Sequence, residues 1–256
     1  MNTTQGNLNF LSLFKRNLIF RLKKKINIDK DKFQNDIKLE ELFSFYKTDK
    51  ANYIKSKEIY GHGYAEFYEK HFSSLRNKKL NILEIGSFSG ASAAAFVKYF
   101  KDVNVYCLDI NLTKFIYESK KIHPFGLDIS NKKLIEKFLN KIGFYENIKH
   151  FDIIIDDGSH ILSDQLKAID YFFKYLSIGG YYVVEDYRFC EHLPHLNDTD
   201  DPPIRKIFEI LKKNYKKDFK FLSNQTLEIL RKNSSNIFEY NGNQKISSIA
   251  FIEKLN

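Results

Sequence analysis

The chain has 256 residues, 43% of them hydrophobic and 29% charged, with 41 basic against 32 acidic side chains and a formal net charge of +9. That length supports one large domain plus an extension. No apolar run reaches the roughly 18 residues that a membrane span needs, and two cysteines, Cys107 and Cys190, give neither a disulfide framework nor a metal-ligand spacing. Lys15, Arg16 and Arg21 interrupt what would be the apolar core of a signal peptide, so a reducing, cytoplasmic setting is expected. The positive charge gathers in Lys15–Lys25 and Leu211–Lys220 of a chain rich in Lys, Asn, Ile, Phe and Tyr. Solvated faces and compositional bias account for it better than a nucleic-acid surface.

The first 75 residues differ in pattern from the rest. Leu8, Leu11, Phe14, Leu18 and Leu22 recur at helical spacing in a basic stretch, which predicts an amphipathic helix packed on its own domain or on a second subunit in preference to lipid. A second helix is predicted over Leu39–Tyr46, and Lys47–Phe72 runs through a polar loop containing "GHGY" into a third. From Lys79, buried apolar runs alternate with helices. "LNILEIG", "VNVYCLDI", a short segment around "PFGLDIS", "FDIIIDDG" and "GGYYVVEDY" read as strands, with helices over "ASAAAFVKYF", Asn131–Gly143 and Ser163–Leu176. That alternation implies a parallel sheet covered on both faces. Beyond a helix at Ile204–Tyr215, the segments "FKFLS", "LEILRK", "NIFEYNGNQ" and "ISSIAFIEKL" read as closing strands that turn at Asn241-Gly242. The expected fold is α/β: a Rossmann-like, doubly wound, mostly parallel seven-stranded sheet with an antiparallel edge strand. An N-terminal helical extension, residues 1–75, precedes a catalytic domain at 76–256.

In such a sheet, ligands sit beyond the carboxyl ends of the strands, where strand order reverses. The loop "EIGSFSGAS" (Glu84–Ser92) follows the first strand, and Gly86 and Gly90 let backbone approach a ligand closely. Phe88 and Ser89 break a dinucleotide fingerprint, and no P-loop lysine follows. Asp109 ends the second strand, where a carboxylate can hold a ribose diol, and Asp128 follows the third, placed to meet a base edge. An acid after each of three strands, with a glycine-containing first loop, suits S-adenosylmethionine better than NAD. Strands four and five lie about 4.8 Å apart and end in Asp156-Asp157-Gly158-Ser159-His160 and Glu185-Asp186-Tyr187. Up to four carboxylates and an imidazole thus share one small volume. Like charges that close repel unless a cation neutralises them or one takes up a proton. Oxygen ligands with open positions suit Mg²⁺, which keeps waters and accepts substrate oxygens.

"IIIDDGSH" and "GGYYVVEDY", preceded by "LEIGSFSG" and by "YKTDK…GHGYAEFYEKHF", resemble the metal-dependent class I S-adenosylmethionine O-methyltransferases of the macrocin and mycinamicin sugar-methylating type. A cephalosporin-biosynthesis methyltransferase is similar. The resemblance runs from about Leu42 to the final "IAFIEKL". It implies that Asp157, Glu185 and Asp186 bind Mg²⁺ and that His160 is the general base, with Asp157 in the catalytic set. It implies that Glu84, Gly86, Asp109 and Asp128 contact the cofactor, with Ser87, Gly90 and Asp156 completing that group. In that family "KTDK" and "GHGY" help close the cleft, which implies that His62 and Tyr64 face the cofactor or acceptor; a buried, hydrogen-bonded His-Tyr pair is the alternative. Two departures stand out: Ser89-Gly90 where the family often has two glycines, and Asn131 where it often has an acid.

The implied chemistry is methyl transfer to a sugar hydroxyl made more acidic by the metal, with His160 removing the proton. The implied acceptor is a small carbohydrate, in surface (capsular) polysaccharide or natural-product biosynthesis, without nucleic acid or a membrane span; a homo-oligomer is compatible. Two other readings compete. "DPPI" (Asp201–Ile204) mimics the motif of nucleic-acid amino-methylating enzymes, although it follows strand five and reads as a loop leading into a helix. A noncatalytic, cofactor-binding scaffold on the same fold is the second.

Overall fold

Seven strands form the central sheet of the computed structural model, which describes residues 10–52, 54–55, 58–59, 61–145 and 147–255. Along the chain they are β1 (Lys79–Ile85), β2 (Asp102–Asp109), β3 (Ile122–Gly126), β4 (Phe151–Asp156), β5 (Leu176–Glu185), β6 (Ile237–Asn241) and β7 (Ser248–Lys254). Their spatial order is β6-β7-β5-β4-β1-β2-β3. Strands β1 to β5 pair in parallel, whereas β7 runs antiparallel to both β5 and β6, so the antiparallel strand stands one place in from that edge. The chain builds outward from β1 through β2 to β3, then returns to the other side of β1 with β4. Strand order therefore reverses between β1 and β4, and the ligand crevice of such a sheet opens there.

The helices are α1 (Phe10–Leu22), α2 (Leu39–Tyr46), α3 (Ala65–Phe72), α4 (Ala91–Tyr99), α5 (Lys132–Tyr145), α6 (Leu162–Phe172), the single turn α7 (Phe189–His192), α8 (Ile204–Lys212) and α9 (Asn224–Lys232). Alternate residues of each strand point to opposite faces, which splits the interior into two cores. Ile82, Val105, Ile153, Val183 and Phe251 meet Phe43, Tyr68, Phe72 and Phe96 of α2, α3 and α4. Leu83, Tyr106, Ile154 and Tyr182 meet Phe138, Leu166, Phe208 and Leu227 of α5, α6, α8 and α9. The segment that carries α2 and α3 is thus one wall of the sheet, sharing a core with α4 and the strands.

The tail corrects part of the sequence reading. "LEILRK" lies in α9, because Ser223 caps that helix by accepting from the Thr226 amide and Leu227 and Leu230 face the core at helical spacing. So short an apolar run does not separate period 2 from period 3.6. "FKFLS" forms only an isolated bridge, Phe219 with Leu222. The connection between β6 and β7 is a six-residue loop, 242–247, closed by the Gly242 amide on the Ser247 carbonyl at 2.9 Å, rather than a tight turn.

Helix α1 packs on the domain, but not through the apolar series that predicted it: Leu11, Phe14, Leu18 and Leu22 are exposed, and Leu8, the first member of that series, lies outside the described residues. Leu13 is buried, the Phe20 ring meets Phe115 edge-on at 5.9 Å, and Asn17 donates to the Gly126 carbonyl at 3.0 Å. Arg16 and Lys23 donate to the carbonyls of Ile110 and Thr113. Those contacts fix α1 against the β2–β3 edge.

On the opposite side, His71 of α3 stacks on Phe251 at 4.3 Å, with Nε2 3.0 Å from the Tyr240 hydroxyl, and burial pulls its pKa down to about 4. In the unfolded chain the ordinary value of 6.5 returns, so between these values the unfolded state binds the extra proton. Stability from this group is complete above pH 6.5 and declines as pH falls through the window to about 4, by up to roughly 3 kcal/mol. Urea unfolding at a series of pH values should show a shallower decline for His71→Gln than for the native chain. Parallel curves would mean that the imidazole titrates freely in the folded state.

Candidate functional site

The β1–α4 loop turns sharply over the strand ends. Gly86 takes φ of +83°, and a Cβ there would overlap the carbonyl of Asp157, so only glycine lets the two strand tips touch. The Gly86 amide bonds the Leu108 carbonyl and the Asp157 amide bonds the Ile85 carbonyl, tying the tips of β1, β2 and β4 together. Asp109, at the end of β2, accepts from the amides of Phe88 at 2.7 Å and Asn111 at 2.6 Å, and burial raises its pKa. Two cavities open on this loop. One, about 280 Å³, is lined by Gly86, Phe88, Asp109, Asp128 and Asp157. The other, about 410 Å³, is lined by Lys50, Gly86, Ser87, Ser92, Asp157 and His160. Gly86, Phe88 and Asp157 border both, so they are two ends of one groove.

At the second end, Asp157 and Glu185 stand on adjacent parallel strands, and Asp186 follows. A lysine sits among them. Lys50 is 1% exposed, and its ammonium lies 2.5 Å from Asp157 Oδ2 and 2.8 Å from Glu185 Oε2. Burial alone would lower its pKa, yet Asp157 and Glu185 outweigh that and hold it well above the ordinary lysine value. The other oxygen of Glu185 accepts the Tyr68 hydroxyl, and Asp186 Oδ1 accepts the Tyr64 hydroxyl. The turn that carries Lys50 is itself bonded to "GHGY": the His62 amide donates to the Asp49 carbonyl and the Tyr64 amide to that of Lys50. "KTDK" and "GHGY" are therefore parts of one clamp over the strand ends.

The open side of this cluster holds a different trio. Ligand atoms of Asp157, His160 and Asp186 all lie within 4.8 Å of one another. His160 has φ of 57° and Asp186 of 53°, left-handed backbone that non-glycine residues adopt where the surrounding structure dictates their aim. His160 Nε2 lies 3.9 Å from Asp157 Oδ1, and burial lowers the imidazole pKa. Burial raises Asp186 to about 7. Nearby, His62 Nδ1 is 2.6 Å from Ser247 Oγ, and its ring stacks on Tyr64 at 5.1 Å.

The groove thus gathers Gly86, Ser87, Asp109, Asp128, Asp157 and His160, with Asp186 beside them. Three other candidates fall behind it. Glu84 is fully buried on the α4 face, where it accepts the Ser92 hydroxyl. Asp156 shares the opposite face with Ile154, two residues before it; burial raises its pKa to about 8, and Oδ1 accepts from the Gly158 amide. Gly90, with φ of +77°, starts α4 against the Phe115 ring. Glu185 is turned inward to Lys50 and Tyr68. Sequence reasoning singles out neither Lys50 nor Tyr68. The available signal was electrostatic: three acids at adjacent strand tips require a nearby cation, and "KTDK" is the segment that returns to them.

No protein-family model matches the chain. It is 30% identical over 159 residues to the 8-demethyl-8-alpha-L-rhamnosyl tetracenomycin-C 2'-O-methyltransferase of Streptomyces olivaceus, covering 59% of this chain and 40% of that protein. It is 29% identical over 171 residues to the mycinamicin VI 2''-O-methyltransferase of Micromonospora griseorubida, covering 64% of this chain and 39% of that protein. The chain therefore matches only about two-fifths of the length of these curated relatives. Among solved structures it superposes on the MycE methyltransferase of the mycinamycin biosynthetic pathway, crystallised in complex with Mg and SAH, with a TM-score of 0.63 and 23% identity. The superposition covers 85% of this chain and 54% of that one. The fold is that of a Rossmann-like methyltransferase, and over the shared stretch the chain is a sequence relative of sugar O-methyltransferases of the tetracenomycin, mycinamicin and macrocin type.

Proposed function

We propose that the protein is an S-adenosylmethionine- and Mg²⁺-dependent O-methyltransferase acting on a hydroxyl of a sugar or sugar-linked acceptor. The observation that carries this reading is the single groove with two chemically different ends. Asp109 and Asp128 line one end, as a ribose and a base require; Asp157 and His160 line the other. Ser87 and Ser92, with the N-terminus of α4, face the second cavity, where a carboxylate such as that of methionine is favoured. The donors also fit a hard divalent ion: carboxylate oxygens of Asp157 and Asp186 lie close together, with the His160 imidazole beside them as the base and not as a ligand. Glu185, expected in that set, supports it from behind through Lys50.

The cofactor supplies an activated methyl, and a divalent ion bound by Asp157 and Asp186 would make a coordinated hydroxyl more acidic. The chain's own groups do the remainder. Tyr64 fixes Asp186, Lys50 fixes Asp157, and Asp157 lies beside the His160 imidazole. His160, kept neutral by burial, is ready to accept the hydroxyl proton. The acceptor class rests on the relatives, whose names specify methylation of sugars on natural products; capsular or other surface glycans are the extension we propose. The nucleic-acid reading loses its motif. Asp201 of "DPPI" accepts from the amides of Lys220 and Phe221, and Pro203 precedes α8, away from both cavities.

Calorimetric titration with S-adenosylmethionine tests the cofactor end. Asp109→Ala should weaken binding by about 1.5–3 kcal/mol, roughly ten- to hundred-fold, because the ribose loses a charged acceptor and the Phe88 amide loses its partner. Undiminished affinity in the variant, or tight NAD binding by the native chain, would remove the methyltransferase reading.

A further inference from the structure

Helix α1 is apolar on two faces, and only one of them is used by the fold. Leu13, Asn17 and Phe20 lie on the docked side. On the far side, Phe14, Leu18, Ile19 and Leu22 are 59%, 46%, 44% and 79% exposed. Phe14, Leu18 and Leu22 recur every four residues, so they form one outward stripe. Exposed Lys15, Arg21 and Lys24 flank it. Between residues 10 and 25 the chain has six cations (Lys15, Arg16, Arg21, Lys23, Lys24 and Lys25) and no acidic residue.

Charge decides between the surfaces that could cover this stripe. A second copy packed face to face would bring the flanking Lys15, Arg21 and Lys24 against the same three, with no acidic residue in that stretch to neutralise them. A nucleic acid would satisfy the cations and leave four large apolar side chains in water. An anionic lipid interface satisfies both: acyl chains take the apolar stripe and headgroups meet the flanking lysines and arginines. We propose that the outward face of α1 docks the protein on an anionic membrane surface, with the helix lying in the interface plane.

The position of the helix gives this docking a consequence. Arg16 donates to the carbonyl of Ile110, and Ile110 lines the same cavity as Asp109 and Asp128. The docking face therefore belongs to an element braced against the rim of the groove, which would hold that rim close to the lipid headgroups. The inference stands on α1 alone and is independent of which reaction the groove carries out.

The test is co-flotation of the full chain with phosphatidylcholine vesicles, with and without a phosphatidylglycerol fraction. Binding is expected only to the vesicles containing phosphatidylglycerol. Leu18→Glu with Leu22→Glu should lower it by about ten-fold or more while leaving thermal unfolding unchanged, since both side chains face outward. A second variant, Arg21→Glu with Lys24→Glu, should weaken binding as well and leave the apolar stripe intact. Equal flotation of the native chain and both variants would overturn the proposal. So would absence of flotation combined with a dimer, detected by sedimentation, that Leu18→Glu with Leu22→Glu dissolves; that result would assign the stripe to a second copy. Binding to duplex DNA that survives the leucine substitutions, without vesicle binding, would assign the cations to nucleic acid and equally overturn it.

Discussion

Lys50→Met should destabilise the folded chain by about 3–5 kcal/mol near neutral pH, the range found when one partner of a buried ion pair is removed. The substitution keeps the length of the side chain and removes only its charge. Asp157 and Glu185 would then face each other across a site that is closed to water on the Glu185 side, where the residue is 2% exposed. Tyr68 satisfies one Glu185 oxygen but brings no charge. In thermal unfolding, a loss of this size corresponds to a fall of roughly 10 °C for a chain of this length. The ammonium is held well above the ordinary lysine value of 10.5, so its contribution is complete below pH 10.5 and is lost only as pH rises beyond it. A double variant, Lys50→Met with Glu185→Gln, should recover much of the loss because neither buried charge remains unpaired. A fall below about 1 kcal/mol in the single variant would show that the ammonium is not what makes the acid cluster tolerable.

The parts of this arrangement that could be read from sequence are those governed by local pattern. β1, β4 and β5 are apolar on both faces because helices cover both, and their tips are marked by the switch from Ile and Val to Asp, Glu and Gly. Asp157, His160, Glu185 and Asp186 were legible for that reason. Which way each acid turns was not. Asp156 and Asp157 are adjacent, yet strand alternation sends the first toward the core beneath Gly158 and the second into the groove. Glu185 and Asp186 divide similarly, one toward Lys50 and one toward Tyr64 and the open side. Lys50 is 107 residues away from Asp157, and no periodicity links a turn after α2 to the tip of β4. The tail failed for a different reason. Leu227, Ile229 and Leu230 form too short a run to reveal their period, and the helix is set by the Ser223 cap and by burial against the sheet.

The open side of the acid cluster carries the largest functional expectation. His160→Ala should retain the binding of S-adenosylmethionine and Mg²⁺ by calorimetry and lose kcat by about 10²–10⁴-fold, the usual contribution of a general base. Its geometry favours that role over His62. His160 Nε2 sits 3.9 Å from Asp157 on the open side, whereas His62 Nδ1 already meets Ser247 Oγ at 2.6 Å. His62→Ala should accordingly cost less in kcat than His160→Ala. Asp157→Asn preserves shape while removing the charge that Asp157 presents to Lys50 on one side and, with Asp186, to the ion on the other, so it should abolish Mg²⁺ affinity. EDTA should stop methyl transfer by the native chain and leave cofactor binding largely intact, since Asp109 and Asp128 hold the other end of the groove. A merely structural acid cluster would respond otherwise: Asp157→Asn would alter stability and leave turnover unchanged in the folded fraction. Full activity in EDTA, together with an active Asp157→Asn variant, would take the metal out of the reaction and leave proton removal to His160 alone.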